Sequence, residues 1–133
     1  HADLLGMEPE EQVAVATVAR YHRGAPPKKS HEDYGSMDRS ARRRIRRLSA
    51  ILRVADGFDR GHAGAVSRIK VRWLGRAMRL TAVPARPGLP LRLELWGASR
   101  KASLLEKVAG VKIEVVAPDG QVYVADDEGG DIE

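Results

Sequence analysis

The sequence predicts an α+β fold: a helical part over residues 1–62, then a small antiparallel or mixed sheet with one packed helix, in the order β-β-β-α-β, over 63–125. Three observations predict it. Residues 7–22 and 38–60 carry long helix-compatible runs that end at Gly or Pro. Residues 65–125 instead break into short runs in which apolar and polar residues alternate, bounded by Gly and Pro. The charge changes along the chain as well. Residues 1–62 carry 12 Lys and Arg against 9 Asp and Glu, residues 63–116 carry 11 against 3, and residues 117–133 carry 6 acids and no base.

Residues 7–22 (MEPEEQVAVATVARYH) read as the first helix. Pro9 and the acids Glu8, Glu10 and Glu11 suit a first turn, and apolar or small residues all round from Val13 to Ala19 predict a buried helix. Residues 28–37 read as a polar, mobile loop. Residues 38–60 (DRSARRRIRRLSAILRVADGFDR) read as the helix around which the chain is organised, with Asp38 as N-cap and Gly61 as stop. At about 100° per residue, Ile45, Leu48, Ile51, Leu52, Ala55 and Phe58 share one face, and Arg42, Arg46, Arg53 and Arg60 form a stripe beside it. Asp56 and Asp59 fall inside the apolar arc, where a carboxylate needs a partner or a task. Strands are predicted over 65–74, 77–83 and 91–96 (LRLELW, with Leu91, Leu93 and Leu95 inward), with Trp73 and Trp96 at core positions. A short helix over 99–108, capped by Gly110, precedes strands over 111–116 and 121–125. The acidic end, 126–133, is expected to be disordered.

At 133 residues the chain is one domain or two very small ones, and 43% apolar residues suffice for a core that is mainly aliphatic. The net charge of +5 suits a polyanionic partner such as nucleic acid, phosphate chains or anionic lipid, and equally a merely soluble basic protein. There is no cysteine, which excludes disulfides and thiolate metal sites and is compatible with a cytoplasmic location. No apolar run approaches the roughly 20 residues of a membrane span, and no signal peptide is expected. The chain opens at His1 just ahead of a helix, and the expectation is a fragment of something longer.

Three groups of residues carry possible chemistry. Arg20-Tyr21-His22-Arg23 followed by Lys28 and Lys29 puts cations and an imidazole at a helix exit, where they could grip phosphate or merely complement the helix dipole. The RRR-RR block could contact nucleic acid, but no aromatics interleave with it, so a solvated face is the plainer reading. Asp56, with His22 as helper, could serve a metal, or it could pair with Arg53 or Arg60. No phosphate-cradling glycine loop and no Ser/His/Asp set is readable.

The segments DLLGMEPEEQVAVATVARYHRGAPPK and LSAILRVADGFDRGH together resemble the C-terminal region of the exopolyphosphatase/guanosine pentaphosphate phosphatase (Ppx/GppA) family, over residues 2–62. The sheet segment 65–117 fits the family's final α/β module less distinctively. The resemblance implies a parent hydrolase of phosphoric anhydrides. Its absent N-terminal half would carry an actin-like catalytic fold and a Mg²⁺ site, and its C-terminal half an HD-like helical module. The present piece would be an incomplete HD-like module followed by the α/β unit, with Asp56 resembling the module's last acidic ligand. It would contribute polyphosphate binding and dimerisation and carry no cofactor of its own.

The expectation is therefore a non-catalytic fragment of such a phosphatase. Its partners would be polyphosphate or a phosphorylated nucleotide, the parent's catalytic domains and a second copy, with neither membrane nor nucleic acid favoured. His22, Arg23, Lys28, Lys29, Arg42, Arg46, Arg53 and Arg60 are the candidate polyanion contacts. Two alternatives stand beside it: a degenerate HD-type metal phosphohydrolase working through Asp56 and His22, and a purely structural or dimerisation module.

Overall fold

The computed structural model describes Gly6, residues 8–21, Lys28 and residues 31–125. The elements run α1 (Pro9–Tyr21), α2 (Glu32–Gly35), α3 (Arg39–Phe58), β1 (Val66–Trp73), β2 (Ala77–Pro84), α4 (Arg92–Arg100), α5 (Ser103–Ala109), β3 (Lys112–Val116) and β4 (Val122–Val124). This is an α+β fold with a four-stranded mixed sheet in the order β1-β2-β3-β4. The β1–β2 and β3–β4 pairs are antiparallel and β2–β3 is parallel, because α4 and α5 carry the chain back between β2 and β3.

The helix starts follow local chemistry. In α1, Pro9 occupies the first turn, and the Glu8 amide donates to the Glu11 carboxylate at 2.8 Å, half of a capping box. In α3, the Asp38 carboxylate accepts from the Ala41 amide at 2.8 Å, as a cap should. That helix ends at Phe58, with the Asp59 amide turned back onto the carbonyls of Asp56 and Gly57. Gly110 closes α5 at φ 72°, a left-handed conformation that favours glycine.

Residues 91–96 correct one expectation. They start a helix where alternation predicts a third strand, so the order is β-β-α-α-β-β. Leu91 and Leu95 are buried, as alternation requires, but they are also four apart, one helical turn. Leu93, which a strand would bury, is 49% exposed, and Glu94 is buried in its place. The Glu94 carboxylate accepts from the Gly61 amide at 3.2 Å, so the group that meets this buried acid lies 33 residues away. The single helix expected over 99–108 is accordingly two helices that meet at Lys101-Ala102. The expected loop 28–37 holds a helical turn, α2, with Tyr34 buried.

The main core joins Val54 and Phe58 of α3 to Met78, Leu80 and Ala82 of β2, Leu95 and Ala98 of α4, and Ile113 and Val115 of β3. A smaller cluster, Val18, Tyr34 and Ile45 with Met37 beside it, ties α1 and α2 to the first half of α3. The face that α3 buries is Ile45, Ser49, Ala50, Arg53, Val54, Gly57 and Phe58. Leu48, Ile51 and Leu52, placed inward by size and period, are exposed instead. Small residues let neighbouring backbones come close, and here they select the contact face. A Cβ on Gly57 would stand 2.6 Å from the Gly97 carbonyl oxygen of α4. Trp73 and Trp96 are likewise exposed, at 60% and 41%, which corrects their expected core positions. Trp73 ends a strand at the sheet's edge, and Trp96 sits on the outer side of α4. Among the described residues, no helix is long and apolar enough to cross a membrane.

Candidate functional site

The arginine stripe of α3 is one row by periodicity but meets three environments, because the neighbour changes along the helix axis. Near its start, Arg39, Arg42, Arg43, Arg46 and Arg47 line a groove of about 320 Å³ together with Tyr34, Lys107 and Val108. The lining holds six cationic side chains and no carboxylate. Tyr34 comes from α2, and Lys107 and Val108 come from α5, so the groove is open toward solvent between two helices that α3 holds apart.

Arg42 is both wall and brace. Its guanidinium donates to the carbonyls of Gly35 (3.4 Å) and Met37. The Tyr34 hydroxyl in turn donates to the Arg42 carbonyl at 3.4 Å. These bonds fix the rim of the groove on the α2 side. Arg39, Arg43 and Arg47, by contrast, are exposed, and Arg46 is half-buried. Like charges packed this closely repel one another and are stabilised by a counter-anion. Guanidinium forks match the geometry of phosphate oxygens, and the Lys107 ammonium adds a point charge to the same lining.

Halfway along the helix the stripe is covered. Arg53 is 2% exposed and donates to the Tyr21 carbonyl at 3.1 Å, the last residue of α1. It thereby ties α1 to α3. At the far end, the guanidinium carbon of Arg60 lies 5.0 Å from the centroid of Trp96, and that of Arg100 lies 4.9 Å from the same ring. Arg60 follows the end of α3, whose last residue, Phe58, is about 18 Å along the axis from Arg46 at 1.5 Å rise per residue. The stripe thus supplies two of its four members, Arg42 and Arg46, to the groove.

The remaining candidates divide similarly. Lys28 is half-buried, and its amide donates to His31 Nδ1 at 3.3 Å, which also bonds the Tyr21 hydroxyl at 2.6 Å. His22, Arg23 and Lys29 lie outside the described residues. Asp56 is half-buried on α3, and Asp59 is exposed with His62 Nδ1 3.4 Å from its carboxylate. Among the described residues no three His, Cys, Asp or Glu side chains gather in a group that could hold a metal ion.

Arg39, Arg43, Arg47 and Lys107 are groove residues that the sequence reading passed over. The first three recur at four-residue spacing, a signal present in residues 39–47. Lys107 lies about 60 residues downstream, and only the packing of α5 against α3 brings it near.

A comparison with protein families matches residues 1–83 to Ppx/GppA phosphatase, domain III. The chain belongs to the Ppx/GppA phosphatase family. The match runs from the helical part through β2, so it covers α1, α3 and the arginine block of the groove as well as the first two strands. In this Ppx/GppA chain the other wall of the groove, Lys107 and Val108, comes from beyond the matched residues. A search of curated proteins found no match.

Proposed function

We propose that this chain is a non-catalytic C-terminal part of a Ppx/GppA-type phosphatase and that the groove between α3 and α5 holds a run of linked phosphates. The parent enzyme would be cytoplasmic and would release terminal phosphate from polyphosphate or the γ-phosphate from guanosine pentaphosphate. Residues 1–62 would be an incomplete HD-like segment and 63–125 the closing α/β module, with the parent's catalytic domains supplying the chemistry. A second copy of the chain would complete the assembly, which sedimentation at rising concentration would reveal.

The observation that carries the reading is the all-cationic lining: six basic side chains with no carboxylate among them. A linear polyphosphate needs a row of charge more than a shaped pocket. Binding should be driven by counterion release, and its affinity should fall steeply with salt. The test is a titration of the whole chain with polyphosphate at several salt concentrations. Replacing Arg43 and Arg47 by Ala should weaken binding and reduce the magnitude of the salt slope by about one to two. Replacing Arg60 should leave both unchanged. Equal loss from either change would mean diffuse attraction to a basic protein and would remove the groove from the account.

A further inference from the structure

The open edge of the sheet carries a pattern that the phosphate-binding reading does not use. β1 is an edge strand, and among the described residues it pairs only with β2. Beyond a register shift at Val66/Arg68, residues 68–73 pair regularly with β2, and their outer edge has no strand partner among the described residues. Along it the two faces differ sharply. Ile69, Val71 and Trp73 point to the helix side of the sheet, where they line an apolar cavity of about 400 Å³ with Ile51 and Phe58. Val71, Trp73 and Ile51 are each more than half exposed. Arg68, Lys70 and Arg72 occupy the opposite, open face.

The rows of that open face say which partner is missing. Glu114 of β3 stands opposite Arg79 of β2, and the pair closes at 2.7 Å. Arg79 on its other side faces Arg72 of β1. The row therefore reads Arg72, Arg79, Glu114, with two like charges side by side at its outer end. Adjacent like charges on paired strands are unfavourable, and a carboxylate beyond Arg72 would relieve them as Glu114 does for Arg79.

We propose that β1 accepts an added strand from a partner polypeptide whose sequence alternates acidic and apolar residues. Its backbone would pair with the outward amides and carbonyls of residues 68–73. Its apolar side chains would cover Val71, Trp73 and Ile51, and its acids would lie beside Arg68, Lys70 and Arg72. A second copy of β1 is the wrong occupant. With the apolar residues kept on the side of the apolar cavity, every open-face position of such a pair would set a base against a base.

The test uses the whole chain and a short synthetic peptide alternating Glu with Val. A peptide of the same composition with its acids and valines in separate blocks is the control. The alternating peptide should bind about tenfold more tightly than the block peptide and should slow hydrogen exchange in residues 66–73. Methylating its alternate backbone nitrogens, which leaves the protein untouched, should abolish binding. The double substitution Lys70→Glu with Arg72→Glu should reverse the preference toward a Lys–Val peptide. Equal binding of both Glu–Val peptides, or exchange in β1 already slowed by self-association without peptide, would overturn the proposal.

Discussion

Arg53 shows how one residue type takes on different tasks along a single helix. Arg46 and Arg53 are seven residues apart and almost aligned on the helical wheel, yet one lines an open groove and the other is sealed beneath α1. A buried guanidinium is tolerated only with acceptors in place, and the Tyr21 carbonyl is one of them. Replacing Arg53 by Met keeps much of the volume but removes the donor that meets that carbonyl. The expected cost is about 1–3 kcal/mol of stability, measured by urea unfolding, while polyphosphate affinity at low salt stays close to that of the parent chain. A large fall in affinity with unchanged stability would instead place Arg53 among the phosphate contacts. The same logic separates the acids. Glu94 is buried because the Gly61 amide meets it, whereas Asp59 stays at the surface beside His62.

At the scale of elements, the α3–α4 crossing decides the geometry of the far end of the molecule. Gly57 and Gly97 sit back to back, and a Cβ on either would stand 2.6 Å from the other's carbonyl oxygen. Both obstacles are backbone atoms, which cannot rotate away. Gly57→Ala should therefore force the helices apart and destabilise the chain by about 1–3 kcal/mol, seen as a lower denaturant midpoint. Separation should also loosen the stacking of Arg60 on Trp96, so the indole emission should change in the same variant. An alanine accepted without loss would mean that the two helices are not in contact at this point. Much of this level was legible beforehand. The α1 and α3 spans, the Asp38 cap, the Gly110 cap and four of the five expected strands agree with the structure to within a few residues. Residues 91–96 failed because Leu91 and Leu95 satisfy period two and a helical turn equally well. The Gly61 amide that meets the buried Glu94 lies 33 residues away, in no local window.

At the scale of the whole molecule, two apolar clusters of unequal size support the two ends of α3. The larger one includes residues from α3, β2, α4 and β3, with Val66 and Ile69 of β1 packed against it. The smaller one rests on three buried residues and Met37. Local stability follows buried contacts, so α1 should open more readily than β2 or β3. Hydrogen exchange under native conditions should show amides of α1 exchanging well before those of residues 78–82 and 113–116. Simultaneous exchange of both sets would mean that the small cluster is coupled to the large one more tightly than its size implies. The groove lies at the first end, between α2, α3 and α5, and so combines a rigid wall from the main core with a rim held by the weaker cluster.

The residues alone determined the α+β class, the basic character, the caps and turns, and the likeness to the Ppx/GppA family. Each of these rests on short-range periods, on single-residue conformational preferences or on a contiguous string of residues. Only the tertiary structure decided which arginines share a space. Periodicity places side chains around a helix axis but says nothing about what approaches at each height. Here α1 covers Arg53, Trp96 receives Arg60, and α5 brings Lys107 to the five arginines at the start of α3.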